Sequence, residues 1–423
     1  MNLLDFGAVG DGKTLCTAAV QQAIDAAAAA RETLLFPAGE YLCGSLYLRS
    51  YTSIKLEAGA VLKASPDIAD YPDDTHHQRY LGEWVMDRCF IFAQNAEHIS
   101  IEGPGEINGN AVAFSKADAP RPMLLRFLEC SHIALSNLYL QDPASWCGAF
   151  LCCEDIRIQG LDLFSRTNAG NGDGLDFDCC HRVAITNCLM NTSDDCICLQ
   201  NSFPGRTCTD VVVTNCVMSG KWAGMRIGMA ACGEISRVTV SNCTFTDMDC
   251  SALKIQSTEG GTFKDMIFSN LVMKNVPRPA FITLNRFRLS EGFLETCQTG
   301  YIHSMIFQNI LATCDKDYPC DSNYGIVVLG DTHRDIENLL FKDIYLSLPG
   351  GETAPAIPFP EIDNTRPEYW AFDGLLPAAA ITLNHVENIR FENVNVSLAS
   401  PDERPAVVCL SGNYLWNGNE KKN

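Results

Sequence analysis

Two adjacent aspartates, Asp194 and Asp195, are the residues of this chain whose placement most strongly suggests chemistry. They directly precede the run Cys-Ile-Cys-Leu at 196–199, which predicts a buried strand. Like charges at such short range disfavour each other's ionised state. An Asp-Asp pair taken alone is most often a solvated turn, so a functional role depends on which other polar residues lie close to it.

A second acidic motif, NGDGLDFD at 171–178, contributes Asn171, Asp173 and Asp176 before and within a similar apolar run. Crowded carboxylates suit hydrolysis of a glycosidic bond, in which one carboxylic acid protonates the departing oxygen and one carboxylate activates water or attacks the sugar. Mutual repulsion favours keeping one of these acids protonated near neutral pH. The same oxygen atoms could instead bind Ca²⁺, which is the structural alternative.

An internal repeat predicts how these motifs come together. Each copy contains an apolar or alternating run, a polar turn residue and a second short apolar run, both runs being of strand length. The copies are HIALSNLYL (132–140), DIRIQGLDL (155–163), RVAITNCLM (182–190), DVVVTNCVM (210–218), RVTVSNCTF (237–245), DMIFSNLVM (265–273), SMIFQNILA (304–312), NLLFKDIYL (338–346) and NIRFENVNV (388–396). Most turns carry an asparagine, namely Asn137, Asn187, Asn215, Asn242, Asn270, Asn309 and Asn393.

A repeat this short cannot bury its apolar face alone, so the coils are expected to stack into a parallel β-solenoid. Successive asparagines from 187 to 270 are 28, 27 and 28 residues apart, which sets the length of a coil. Asparagine tolerates left-handed backbone angles and can bond its counterpart one coil away, which predicts a ladder. A leucine-rich-repeat horseshoe would need leucines at fixed offsets and a helix in each repeat, and the sequence has neither.

A second set of strand-like runs recurs in register with the first: GLDFD (174–178), CICLQ (196–200), GMRIG (224–228), ALKIQ (252–256), FITLN (281–285), GIVVL (325–329) and AITLN (380–384). Strand side chains alternate between faces, so alternate residues of each run are expected to point outward. Parallel strands stack about 4.8 Å apart, so these residues are expected to form one exterior stripe. The stripe would contain Asp176, Cys198, Arg226, Lys254 and Thr283.

The remaining segments fit a single domain covering residues 1–423. A helical pattern at about 14–31 is expected to cap the N-terminal end of the solenoid, where bare strand edges would otherwise aggregate. Polar, proline-bearing insertions at about 65–84 and 349–377 are expected to form functional walls, with flexible decoration as the alternative.

Composition excludes several classes of protein. The formal net charge of −20 opposes binding to nucleic acid and to anionic membranes. The chain has no run of 18 apolar residues, and its first residues lack the basic segment of a secretory signal, so a cytoplasmic location is expected. The 21 cysteines include no Cys-x-x-Cys and are expected to be reduced, buried side chains. Nothing in the sequence indicates an oligomeric state.

At these residues the chain resembles the polygalacturonases of glycoside hydrolase family 28, whose fold is a right-handed parallel β-helix. The matching segments are DFGAVGDG (5–12), SPDIADYP (65–72), NAEHISIEGPGEINGN (95–110), NGDGLD (171–176) and SDDCICL (193–199). The last two form the specific pair, because Asp173 and Asp194 lie 21 residues apart within them. The resemblance implies an all-β single right-handed β-helix that hydrolyses O-glycosyl bonds with inversion and needs no metal or cofactor.

Residue roles follow from the same resemblance. Asp194 would be the general acid, Asp173 and Asp195 would position and deprotonate the attacking water, and Asn171 would support the adjacent subsite. The remaining substrate-binding candidates are the outward residues of the aligned coils, Asp176, Arg226, Lys254 and Gln256.

The later motifs depart from the family pattern. Ala223 occupies the place of the histidine in the family's Gly-His-Gly, and the family's Arg-Ile-Lys is replaced by Lys254-Ile255-Gln256. Arg226 stands where the family has a small residue. The departures predict a changed sugar preference, for a pectin-derived or rhamnose-containing oligosaccharide, and long loops closing one end of the groove would make the enzyme exo-acting.

Two other functions use the same residues. A β-helix polysaccharide lyase abstracts a proton beside a uronate carboxylate with an arginine or lysine base, for which Arg226 and Lys254 are candidates. A carbohydrate-binding solenoid with inert aspartates is the non-enzymatic alternative, favoured by the missing histidine.

Overall fold

The computed structural model describes residues 1–75, 84–165, 170–287, 299–319, 324–354 and 375–422. The chain forms two compact units, Met1–Ile197 and Cys198–Asn423.

In the first unit the helix is α1 (Thr17–Ala30), and short 3₁₀ helices lie at Leu3–Phe6, Ile68–Asp70, Trp84–Met86 and Ala111–Phe114. Its strands are β1 (Asp11–Leu15), β2 (Thr33–Phe36), β3 (Gly39–Cys43), β4 (Leu46–Tyr47), β5 (Ser53–Leu56), β6 (Ala60–Ala64), β7 (Cys89–Gln94), β8 (Glu97–Glu102), β9 (Glu106–Asn108), β10 (Met123–Leu128), β11 (Ser131–Ser136), β12 (Tyr139–Gln141), β13 (Gly148–Leu151), β14 (Glu154–Gln159), β15 (Asp162–Ser165), β16 (Leu175–Asp178), β17 (His181–Thr186) and β18 (Leu189–Thr192).

These strands pair in parallel with the strand one coil away, which is the pattern of a solenoid. One row contains β4, β7, β10, β13 and β16. A second contains β2, β5, β8, β11, β14 and β17. The third contains β1, β3, β6, β9, β12, β15 and β18. From β4 onward, each coil of the first unit therefore supplies one strand to each row, and each row forms one wall.

The strands that follow are β19 (Ile197–Asn201), β20 (Thr207–Thr214), β21 (Val217–Gly220), β22 (Ala223–Ala231), β23 (Glu234–Ser241), β24 (Thr244–Thr246), β25 (Ser251–Ser257), β26 (Thr262–Lys274), β27 (Arg278–Leu284), β28 (Tyr301–Thr313), β29 (Ile326–Leu329), β30 (Ile336–Gly350), β31 (Ile381–Asn384), β32 (Val386–Ser400), β33 (Val407–Cys409), β34 (Gly412–Trp416) and β35 (Asn419–Lys422). Within the second unit, β22, β25, β27, β29, β31 and β33 form one parallel row. The long strands β26, β28, β30 and β32 form the opposing wall. An antiparallel hairpin of β34 and β35 ends the chain.

Stacked aromatic side chains show how the interior of each unit is filled. Phe127, Phe150 and Phe177 lie ring over ring in the first unit, with centroids 5.1 and 4.9 Å apart. A second column, Phe268, Phe307, Phe341 and Phe391, fills the second unit in the same way. Like residues stack because parallel strands in register place equivalent side chains about 4.8 Å apart.

The predicted N-terminal helix is confirmed as α1, Thr17–Ala30. Its buried residues include Val20, Ala23, Ile24 and Ala27, the apolar positions expected from the pattern. The helix contacts β2, β3 and β4 of the first coil, so its apolar face covers the open end of the unit.

The predicted asparagine turns are confirmed in their backbone conformation. All seven asparagines have φ between 51° and 56°, in the left-handed region that this residue tolerates. In the second unit Asn270 Nδ2 donates to Asn242 Oδ1 at 3.0 Å, and Asn309 Nδ2 donates to Asn270 Oδ1 at 2.8 Å. These bonds form the expected ladder between coils.

Substituting Asn270 by alanine tests this ladder. We expect the free energy of unfolding to fall by about 2 kcal/mol, because alanine at φ 55° costs about 1 kcal/mol and two surface hydrogen bonds are lost. Asn395→Ala is the matched control, since Asn395 is an exposed strand asparagine outside the left-handed set. Urea unfolding of both variants measures the difference, and equal stabilities would contradict the ladder's contribution.

The cysteines of the described residues are reduced thiols, and all but Cys152 and Cys232 are buried. They therefore pack as small apolar side chains, as predicted. Among the described helices, none has the length and apolar character needed to cross a membrane.

The two predicted insertions are described in part. Residues 65–75 contain the 3₁₀ helix Ile68–Asp70, and β30 continues to Gly350, one residue beyond the expected start of the second insertion. Residues 76–83 and 355–374, which hold most of both insertions, lie outside the described residues. That the whole chain is one domain stays a prediction.

Candidate active site

The acidic motifs lie at the N-terminal edge of the wall that contains β16. Cys147 N donates to Asp173 O at 3.0 Å, and Gly174 N donates to Asp195 O at 2.9 Å, so three successive chain segments stack there. Gly174 permits the stacking, because a Cβ at this position would collide with the carbonyl oxygen of Cys196. The backbone thus brings together two acidic motifs that are separate in sequence.

The stacking places the carboxylates of Asp173 and Asp195 side by side. Oxygens of the two side chains lie within 4.8 Å of each other, and the residues are only 3% and 0% exposed. Asp194 differs, because it is partly exposed. Its Oδ1 accepts a hydrogen bond from Asp195 N at 3.0 Å, and its carbonyl accepts one from Thr192 Oγ1 at 2.7 Å.

This arrangement limits the roles that the three acids can take. Paired glycosidase carboxyls stand roughly 5 to 9.5 Å apart because a sugar, or a sugar and a water, separates them. Oxygens of Asp173 and Asp195 lie within 4.8 Å, at the short end of that range, so the two carboxylates can act together on one small molecule such as water. Asp194, which reaches solvent, can meet a different atom of the substrate.

The same close pair is relevant to metal binding. Asp173 and Asp195 offer oxygen atoms near enough to share a cation. Ca²⁺ takes six to eight oxygen ligands, which is more than these two carboxylates supply.

Asp176 points outward from the middle of β16 and is 2% exposed. It belongs to a column of outward residues, one per coil, formed by Tyr47, Phe92, Arg126, Ala149 and Asp176. Desolvation raises the pKa of the neighbouring Cys147 thiol, and the negative charge of Asp176 raises it further.

Asn171 is held by an arginine that sequence reasoning missed. Arg121 is 1% exposed; its Nη2 donates to Asn171 Oδ1 at 3.0 Å, and its Nη1 donates to Gly170 O at 2.8 Å and Ala144 O at 3.1 Å. Asn171 adopts φ 55° at this point. One guanidinium therefore ties together two coils beside the acids. Its sequence signal is slight: an arginine between two prolines just before a strand.

Arg126 is a second missed residue, buried in the outward column two coils from Asp176. Its guanidinium donates to Met86 O at 2.9 Å, Asp87 O at 3.1 Å and Thr75 Oγ1 at 3.4 Å. Burial lowers the pKa of Arg126, an effect opposed by Cys89 and Asp87. These bonds hold the segment 84–88 against the outward face of this wall.

The second unit contains the other predicted binding residues, and they are less accessible than the sequence suggested. Arg226 on β22 pairs with Lys254 on β25, with Gln256 two residues further along β25. Their exposed fractions are 6%, 0% and 0%. The expectation of an open exterior stripe was therefore wrong here, because these three outward residues are buried.

The register of the stripe was also wrong at one position. Phe281 pairs with Lys254, and Thr283 pairs with Gln256 instead. Backbone pairing sets the register, and a shift of two residues leaves the same side chains facing outward.

Trp222, which the sequence reasoning passed over, directly precedes β22 and is partly exposed. The Nζ atom of Lys254 lies 4.8 Å from the centroid of its ring, a cation–π distance.

Solved structures share this fold. An exopolygalacturonase of Thermotoga maritima matches with a TM-score of 0.70 and 19% identity, over 95% of this chain and 92% of its own. A family 28 exopolygalacturonase of Yersinia enterocolitica matches with a TM-score of 0.73 and 19% identity, over 98% of this chain and 77% of its own. These similarities confirm the right-handed parallel β-helix predicted from the sequence.

Proteins of similar sequence include named polygalacturonases. A probable polygalacturonase of Vitis vinifera is 27% identical over 311 residues, 67% of this chain and 62% of the relative. An exo-poly-alpha-D-galacturonosidase of Dickeya chrysanthemi is 23% identical over 408 residues, 82% of this chain and 67% of the relative. The chain thus spans about three fifths of the grape protein's length.

The model of glycosyl hydrolases family 28 matches residues 27–357. The chain belongs to this family, which confirms the resemblance predicted from the sequence.

Proposed function

We propose that this protein is an inverting glycosidase acting on pectin-derived oligosaccharides. Asp194 is the general acid, and Asp173 and Asp195 bind and deprotonate the attacking water. The placement of the three carboxylates carries the proposal: two are buried within 4.8 Å of each other, and the third is partly exposed. Two carboxylates as close as those of Asp173 and Asp195 suit activation of a water molecule better than formation of a glycosyl-enzyme bond.

Bond making and breaking then occur in one displacement. One of the paired carboxylates takes a proton from water as the water oxygen attacks the anomeric carbon. Asp194 gives its proton to the glycosidic oxygen as that oxygen departs. The new bond forms on the face opposite the broken one, so the configuration inverts.

We propose that the segment 84–88 blocks one end of the binding site, so that the enzyme cleaves near the end of the oligosaccharide. This segment is bound by Arg126, two coils from Asp176, and two coils correspond to about 10 Å. Within the same segment, Val85 O accepts a hydrogen bond from Arg121 N at 2.7 Å. A barrier at that distance leaves room for one or two sugar residues, which supports exo action.

The names of the relatives support polygalacturonides as the substrate class. We propose that the predicted binding residues contribute to substrate recognition: Asn171, Asp176, Arg226, Lys254 and Gln256. Ala223, in place of the family's histidine, is proposed to shift the preferred sugar. The cytoplasmic location stays a prediction.

The lyase alternative needs a basic side chain that reaches a proton on the sugar. The candidates, Arg226 and Lys254, lie on neighbouring strands and are 6% and 0% exposed, and the reaction products distinguish elimination from hydrolysis.

Incubation of the purified protein with pectic oligosaccharides and aryl glycosides tests the proposed function. We expect products that have gained one water, released from one chain end and initially of inverted configuration, as read by mass spectrometry and NMR. Products carrying a new double bond would instead indicate a lyase, and binding without any cleavage would indicate a non-catalytic solenoid.

A further inference from the structure

Of the contacting pair Lys254 and Trp222, only Trp222 is accessible to solvent. The Lys254 side chain has no exposed area, and its Nζ lies 4.8 Å from the ring centroid of Trp222, which is partly exposed. A ligand that approaches this part of the second unit meets the indole before the ammonium.

The position of Trp222 is fixed from two directions. Its carbonyl accepts a hydrogen bond from Ser251 N at 3.0 Å, which ties its backbone to the first residue of β25. Lys254, on the same strand, holds the ring by the cation–π contact. A side chain held in this way loses little conformational entropy when a ligand binds.

The neighbouring polar residues lie below the surface as well. Gln256 is fully buried, and Arg226, at 6% exposed, donates its Nε hydrogen to Gly228 O at 3.0 Å. Direct contact between a sugar carboxylate and these groups would require them to move.

We infer that Trp222 is a sugar-binding platform that determines specificity, and that Lys254 is a positioning residue acting through it. The indole packs against the C–H face of a pyranose ring, so the site selects sugars with an apolar face and does not require a carboxylate. This inference rests on the proposed function for its substrate, but its residues and its binding test are separate from the acidic cluster.

Two variants of Trp222 test the platform. With the best oligosaccharide and its carboxyl-reduced counterpart, we expect Trp222→Ala to raise KM about tenfold for both substrates, with kcat changed by less than about threefold. Trp222→Phe should keep KM within about threefold of wild type, because it retains an aromatic face. An unchanged KM in Trp222→Ala, or a rise confined to the acidic substrate, would overturn the inference.

Two variants of Lys254 test its positioning role. Lys254→Met should raise KM and weaken the near-ultraviolet dichroism of Trp222, the latter measured as the difference from the matching Trp222→Phe protein. Lys254→Arg should restore both, since a guanidinium also stacks on indole. A rise in KM without a change in the Trp222 dichroism, or an unchanged KM, would contradict action through the ring.

A failure of the Trp222 platform can be distinguished from a failure of the proposed function. If the wild-type protein cleaves no substrate, the proposed function fails, and the same oligosaccharides are then titrated by calorimetry. Binding that Trp222→Ala weakens about tenfold and Trp222→Phe retains would still support the platform. Binding that is indifferent to Trp222, or no binding at all, would overturn it.

Discussion

Replacing Asp194 by asparagine is expected to lower kcat by about three orders of magnitude, while the protein still folds. Asparagine has nearly the same shape, and its Oδ1 can still accept the hydrogen bond from Asp195 N. It cannot donate a proton as an acid does, so the departing oxygen leaves as an unprotonated alkoxide. Because Asp194 is partly exposed, its neutralisation should have little effect on the free energy of unfolding.

The leaving group distinguishes an acid from a water-activating base. A glycoside of an acidic phenol needs little protonation, so Asp194→Asn should lose much less activity on it than on an oligosaccharide. Asp195→Asn should lose activity on both, because attack by water is impaired in each case. Initial rates on the two substrates measure the contrast.

Asp162→Asn is the matched control, because Asp162 is a partly exposed aspartate on β15, in another wall of the same unit. Its activity should equal that of the wild type. Full activity in Asp194→Asn, or equal losses on both leaving groups, would remove Asp194 from the role of acid.

Replacing Arg126 by methionine is expected to change the products from one or two sugars to a mixture of lengths. The guanidinium donates to Met86 O, Asp87 O and Thr75 Oγ1, and methionine fills similar volume without donating. The segment 84–88 would then lose its attachment to the outward face, and the groove would extend toward β7. Longer substrates could bind across the acids, so internal bonds would be cut.

The same substitution should also destabilise the fold. Hydrogen bonds to a buried charged group contribute roughly 1.5 to 3 kcal/mol each, so a loss of about 3 kcal/mol or more is expected on urea unfolding. Product lengths are therefore measured well below the variant's melting temperature, by mass spectrometry at early times.

Arg182→Met serves as the control for this substitution. Arg182 is 53% exposed and pairs with Glu154 and Asp155, away from the outward column. Its products should match those of the wild type. If Arg126→Met also releases only the short products, then segment 84–88 does not determine the site of cleavage.

Local patterns in the sequence were enough to predict the repeating coil, the N-terminal capping helix and the stacking of the two acidic motifs. Repeated apolar runs with asparagine turns predict parallel strands because strand burial follows a local period of two, and asparagine is tolerated at the left-handed angle that each turn adopts. Asp173 and Asp195 could be paired across coils because the repeat length fixes which residues stack. These are consequences of short-range patterns in the chain.

The burial of the outward residues depends on tertiary contacts and could not be predicted from the sequence. Arg126 is buried against segment 84–88, which lies about 40 residues earlier in the chain, and Lys254 is buried beside the ring of Trp222. The pairing of Phe281 with Lys254 followed backbone hydrogen bonding rather than the spacing of apolar residues. Such contacts leave no periodic trace in the sequence, because each depends on how a loop or a single side chain packs against a strand that local patterns had already specified.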